Sequence, residues 1–227
     1  MRISRAHVLS LGFVVAAFAM AVILYGQLPE WMPTHWNAQG VVDGYTPKPW
    51  GPFVLPLLMA ALYLVLVAVP LISPRGYRVE RFQGVFEGIQ VVLVAFLFLL
   101  NALVLLGGIG VAVPMARVVP AAAGLVLVVL GNYMGKFTKN FFCGVRTPWT
   151  LASDEVWLRT HRLGGRLFVL AGAIVLVSGL LGGGPVPVIA AVTVAVVIPV
   201  LYSYFLYRRI EQDRHGPPDD AGSHRSA

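Results

Sequence analysis

Six apolar runs, near residues 6–28, 52–72, 83–107, 118–135, 164–184 and 186–207, alternate along the chain with polar stretches. Each is long enough, as a helix, to cross roughly 30 Å of hydrocarbon. The pattern predicts an all-α polytopic membrane protein with six transmembrane helices. Arg2 and Arg5 precede the first run, and Ala17-Phe18-Ala19 has the small-residue look of a signal-peptide cleavage site. The run continues through Leu24, which favours an uncleaved anchor.

The polar stretches set the organisation. The pattern divides the chain into an N-terminal two-span unit, 1–72, with an outer loop at 29–51, and a four-span unit, 73–209, with an inner loop at 135–167. The tail, 210–227, is rich in Pro and polar residues with nothing to bury and is expected to be disordered. Gly182-Gly183-Gly184-Pro185 is the shortest connection, a tight turn between two antiparallel spans.

Composition agrees with the pattern: 58% of the 227 residues are hydrophobic and 12% charged, and the mean hydropathy is +0.78. The net charge of +7 raises the question of nucleic acid. However, Arg and Lys at the ends of apolar runs are explained by topology, not by a phosphate-tracking stripe, so no nucleic-acid partner is expected. When alternate loops are assigned to one side, all but Lys48 and Arg117 of the 17 cationic residues fall with the two termini. The positive-inside rule then puts both termini in the cytoplasm. Cys143, the single cysteine, excludes an intrachain disulfide and a Cys-based zinc cluster.

In the outer loop, PEWMPTHWNAQGVVDGYTPKPWG, four prolines and three glycines rule out a long regular helix. Asp43-Gly44 carries a hairpin-turn signal, and Trp31, Trp36, Tyr45 and Trp50 are suited to the bilayer interface. His35, Asp43 and Glu30 are candidates for metal or proton chemistry. With no ligand-spacing motif, they read more simply as polar groups satisfying a tight loop, and neither a metal nor a cofactor is expected.

Gln83, Glu87, Gln90 and Asn101 share one stripe of the third span, expected to face the bundle interior. A carboxylate in a span is costly unless paired, so Glu87 is either functional or an ion-pair partner of Arg146 or Arg162. Gly84/Gly88 and Gly131/Gly135 are GxxxG pairs suited to close helix approach.

The inner loop is the densest motif. Lys139, Arg146, Arg159, Arg162 and Arg166 crowd it, and Trp149 and Trp157 are expected to settle at a membrane surface. Gly144 permits a turn and Thr147-Pro148 fixes an extended residue. Ser153 caps a short helix lying in the interface, with Trp157 and His161 on one face, and Gly164-Gly165 bends it into the fifth span.

Within this loop, GVRTPWTL at 144–151, VW at 156–157 and THRLGGRLF at 160–168 resemble the C-terminal signature of SdpI-type immunity proteins. PTHWNAQGVVDGYTPK at 33–48 resembles the small uncharacterised domain that commonly precedes it. The resemblance implies a bacterial cytoplasmic-membrane protein that protects its producer from a secreted, membrane-active peptide toxin. The resemblance also implies, from the founding system, that the toxin-bound protein holds a transcriptional repressor at the membrane. On that reading Arg146, Thr147, Pro148, Trp149, Trp157, His161 and Arg162 form the inner motif. Pro33, His35, Trp36, Asn37, Gly40, Asp43 and Gly44 form the outer one, with Glu87 and Asn101 as intramembrane polar groups. The expected partners are a peptide toxin, a cytoplasmic repressor and membrane lipids.

Binding without chemistry is the leading reading. A transporter or channel with Glu87, Asn101 and Asn132 along its path is the second. An intramembrane hydrolase is the third: the chain has no HExxH helix and no GxSxG elbow, and Cys143 sits beside Phe141 and Phe142 as a small buried hydrophobe would.

Overall fold

The computed structural model describes residues 4–74 and 79–214. Six helices are long and apolar enough to cross a membrane: α1 (Arg5–Leu24), α2 (Gly51–Ile72), α3 (Gln83–Gly108), α4 (Met115–Met134), α6 (Asp154–Leu181) and α7 (Pro185–Arg214). A five-residue helix, α5 (Pro148–Ala152), sits in the inner loop, and a two-stranded hairpin, β1 (Trp31–Trp36) and β2 (Val42–Pro47), occupies the outer loop. The protein is a polytopic all-α membrane protein that carries, among the described residues, this small β element.

Packing falls into two groups. Helix α3 packs against α1 and α2, while α4 packs against α6 and α6 against α7. The α4–α6 contact is the most extensive, and glycines explain it. A Cβ on Gly131 would lie 2.7 Å from the Gly165 carbonyl oxygen, one on Gly124 2.7 Å from that of Gly172, and one on Gly179 2.5 Å from the Ala121 nitrogen. Along two antiparallel helices these form a seven-residue ladder of backbone-to-backbone approaches. Such approach is a main way that helices associate in lipid, where exclusion of apolar side chains from water gives no driving force.

Only Gly131 of the four expected packing glycines belongs to this ladder. Gly84 would meet nothing within 4 Å, and Gly88 and Gly135 have ordinary contacts, with Tyr133 and Arg162. Spacing nominated the pair on α3, but the facing surface there has no backbone close enough to require glycine.

Three further expectations are corrected. Helix α6 starts at Asp154 and runs without interruption through Gly164 and Gly165. No separate interfacial helix or bend exists there, because both glycines are buried against Met134 and Gly131 of α4. The hairpin turns at Asn37–Val41, and Asp43 and Gly44 lie within β2. Helix α7 continues through residues 210–214, with Tyr207 Oη donating to Glu211 Oε1 at 2.6 Å one turn on. The rest of the expected disordered tail, 215–227, lies outside the described residues.

Candidate functional site

The hairpin is held shut by its own turn. Asn37 Oδ1 accepts from the Gln39 and Val41 amides, both at 3.0 Å, and Gly40 takes a φ of +77°, which favours glycine. The Thr34 and Thr46 hydroxyls pair across the strands at 2.8 Å. His35 Nδ1 and Asp43 Oδ1 pair at 2.5 Å on an exposed face, and Gly44 opposes His35 so closely that a Cβ would lie 2.7 Å from the histidine Cβ. Among the described residues no group of three potential metal ligands is gathered, and Glu30 contributes its backbone carbonyl to Lys48.

Met32 fastens the hairpin to the bundle. It is fully buried with Ala21, Leu28 and Leu105, against Gly51 and Gly108 at the ends of α2 and α3. Trp36 lies over Gly107, and the tip glycine, Gly40, touches Ala116 at the start of α4. Trp31, Tyr45 and Trp50 are exposed, as rings destined for a bilayer interface would be. Pro33 pairs with Tyr45 in the ladder.

Docked in this way, the hairpin roofs a half-open cleft of about 840 Å³. Its polar wall is Thr34–Gln39, and its apolar floor includes Leu55, Leu100, Leu103, Val188 and Ile189 from α2, α3 and α7. Arg117 and Ser178 stand at the rim. Sequence reasoning missed this cleft, because it is assembled from five segments far apart in the chain. Arg117 was visible only as an exception to the charge asymmetry.

At the other end the inner loop folds onto α6. Asn140, fully buried, donates to the Thr138 carbonyl at 2.8 Å and accepts from the Phe142 and Cys143 amides at 2.8 and 2.7 Å. Thr147 caps α5 in a reciprocal capping box with Thr150, whose buried hydroxyl also donates to the Val145 carbonyl at 2.9 Å. Ser153 caps α6, accepting from the Val156 amide. Lys139 pairs with Asp154 at 2.6 Å and Arg159 with Glu155 at 2.7 Å.

His161 is the hub. Its ring is fully buried, with Nδ1 donating to the Trp157 carbonyl at 2.8 Å and Nε2 accepting the Val145 amide at 3.0 Å. These roles fix the neutral Nδ1–H tautomer. Trp157 stacks on it at 4.0 Å between centroids and donates Nε1 to the Phe137 carbonyl at 2.7 Å. Trp157 is therefore a core residue of a cluster with Phe82, Phe86 and Met134, not the interfacial ring expected. Trp149 diverges from it. Its Nε1 donates to Ser203 on α7 at 2.5 Å, and its ring meets Tyr204 edge-on at 5.4 Å.

Pro148 opens α5, and Arg146 and Arg162 are exposed, Arg146 donating to the Phe141 carbonyl. Burial pushes the Cys143 thiol above its usual range, partly opposed by the positive charge of Arg146. The residues that sequence reasoning missed here are Phe137, Asn140, Thr150 and Ser203. Of these, the Thr-Pro-x-Thr spacing at 147–150 alone carried a signal, that of a capping box.

The intramembrane polar groups separate. Gln90 and Asn101 are buried, and Gln90 donates to Ser10 at 3.1 Å. Glu87 is half-buried and accepts from Gln83 at 2.7 Å. Among the described residues it pairs with neither Arg146 nor Arg162, which correct the expected ion pair. Gln83 is exposed, so the stripe does not face inward throughout. Asn132 is also exposed and bonds to the Val128 carbonyl, so Glu87, Asn101 and Asn132 line no common path. His35 and His161 stand at opposite ends of the bundle and cannot share a site.

Comparison with known proteins bears on both ends. Residues 136–203 match the SdpI/YfhL protein family, and residues 12–60 match a domain of unknown function (DUF1648). Between them these segments contain most of the inner loop and the whole hairpin. The immunity protein SdpI of Bacillus subtilis (strain 168) is 27% identical over 212 residues, covering 92% of this chain and 100% of that protein. No solved structure matches.

Proposed function

We propose, for a chain that belongs to the SdpI/YfhL family and carries a DUF1648 segment ahead of the family signature, that it is an immunity protein of the bacterial cytoplasmic membrane. It protects against a secreted, membrane-active peptide by binding it without covalent chemistry. The observation that carries this reading is end-to-end similarity to a protein named for immunity, spanning both the hairpin and the inner loop.

With both termini cytoplasmic, as the charge asymmetry implies, the hairpin faces the side from which a secreted peptide arrives. The cleft beneath it is concave and mainly apolar with a few polar groups, the character of a ligand site, and its volume lies within the roughly 300–1,000 Å³ typical of such sites. A peptide already partitioned into the outer leaflet reaches its half-open side laterally.

The inner motif of Arg146, Thr147, Pro148, Trp149, Trp157, His161 and Arg162 then reports or stabilises the bound state. Its loop ties Trp149 to α7 and Val145 to α6, so a shift of α6 against α7 is transmitted to the cytoplasmic surface. Arg146 and Arg162 are among the exposed cations there, with Lys136, Arg159 and Arg166, and suit a repressor's acidic surface or anionic headgroups.

Expression in a peptide-sensitive bacterium tests the reading. Cells carrying this chain are expected to survive challenge with the peptide to which the Bacillus relative gives immunity. Survival with the relative and none with this chain, at equal membrane levels, would overturn it.

A further inference from the structure

The cleft under the hairpin has a chemical polarity of its own. Its floor is apolar, its roof is the polar edge Thr34–Gln39, and between them stands one cation, Arg117, in the first turn of α4. None of the lining residues is acidic, and among the described residues no carboxylate pairs with Arg117. A lone guanidinium at the rim of an apolar cleft is a binding group for an anion.

Ser178 supplies the second, independent observation. It is 8% exposed, lines the same cleft, and its hydroxyl has no hydrogen-bond partner, the condition that burial normally forbids. The two groups flank one turn. A Cβ on Gly182 would lie 3.4 Å from Arg117 Nε, and one on Gly183 2.6 Å from Ser178 Oγ. The absence of side chains at 182 and 183 keeps that rim low, leaving the guanidinium exposed beside the buried Ser178 hydroxyl. Arg117 lies in the third position of a 20-residue helix, whose dipole adds positive potential at the same point.

The geometry points to a carboxylate subsite: Arg117 takes an acidic group of the bound peptide while the adjoining apolar residues of that peptide fill the cleft floor. This rests on the peptide-immunity reading and deepens it by naming the ligand chemistry. A peptide is favoured over a lipid because the immunity reading supplies one and because the roof presents the Asn37 and Gln39 side-chain amides, which a peptide backbone can use. The carboxylate comes from the chain end or from an Asp or Glu side chain.

The test uses the full chain in nanodiscs of uncharged phosphatidylcholine and three synthetic apolar decapeptides bearing a neutral dye at the N-terminus. The first has a free C-terminal carboxylate, the second is amidated, and the third is amidated with one internal Glu. Wild type is expected to bind the first at least about tenfold more tightly than the second, the size expected of a charge-assisted hydrogen bond. R117Q abolishes that preference, R117K retains part of it, and R166Q, at the far end of the bundle, behaves as wild type.

If the third peptide binds like the first, an acidic side chain suffices. If it binds like the second, the chain end is read. Equal binding of all three, an unaltered preference in R117Q, or binding of none overturns the subsite. So does phosphatidylglycerol that copurifies with wild type and is lost in R117Q, which would make the occupant a lipid. Immunity fails separately: carboxylate-dependent binding without protection of cells removes the proposed function and leaves the subsite standing.

Discussion

The Val145 amide donates to His161 Nε2 at 3.0 Å, across 16 residues of sequence, and so ties the inner loop to the first turns of α6. The neighbouring Gly144 makes this possible. At a φ of +98° its missing Cβ would lie 2.1 Å from the same nitrogen.

G144A is therefore expected to eject the loop from His161. Strain in the left-handed region and the lost contact together cost about 2–4 kcal/mol. Thermal unfolding in detergent should fall by several degrees, and Cys143 should become more reactive with a water-soluble maleimide. An unchanged melting temperature and labelling rate would contradict the tie.

Trp157 and His161 act as a stacked pair, and W157F removes the indole N–H that serves the Phe137 carbonyl. The expected loss is about 2 kcal/mol, from the stranded acceptor and the smaller ring. W149F should cost less, since Trp149 is only half-buried and its partner Ser203 keeps a bond to the Val200 carbonyl at 2.6 Å. Denaturant or thermal titration of the two variants side by side gives the ranking.

The glycine ladder makes opposite predictions on two helices. G172V drives a side chain into the Gly124 carbonyl and the Val128 nitrogen, both 2.6 Å from the first added atom, and should prevent α4 and α6 from docking. G84A meets nothing and should be neutral or stabilising by up to about 1 kcal/mol, the gain in helix propensity. Size-exclusion profiles and melting temperatures distinguish the two.

Burial raises the Cys143 thiol above its ordinary range, and the thiolate is its reactive form. An uncharged maleimide should react slowly at neutral pH and faster as pH climbs past the normal thiol range. R146Q should push the profile further up, because it removes the charge that favours thiolate. The sign for stability is the reverse. The folded state prefers the neutral thiol, so the contribution is complete below the unfolded-state pKa and fades as pH rises through the folded value.

Much of this architecture was legible in the sequence because lipid imposes a simple rule: apolar runs of spanning length become helices. Five of the six spans began within three residues of expectation. The fifth began ten residues earlier, at Asp154, because the helix capped by Ser153, expected to lie in the interface and bend at Gly164-Gly165, is continuous with the span and buries Val156, Trp157, Thr160 and His161. The hairpin turn was misplaced for a related reason. Asp43-Gly44 has the local signal, but the Asn37 side chain captures two amides and fixes the turn six residues earlier. Beyond the α6–α7 hairpin, helix partners, and with them the cleft, were not legible, because Gly124, Gly172 and Gly179 acquire meaning only against the opposing backbone.

In the proposed function the peptide binds at the hairpin end and the response is at the inner loop. A photoreactive benzoylphenylalanine at Gln39, on the cleft wall, or at Ala152, in the inner loop, tests this in living cells challenged with peptide. The prediction is a peptide adduct at position 39 and none at position 152. Adducts confined to 152, or none at either position in cells that are nevertheless protected, would contradict it.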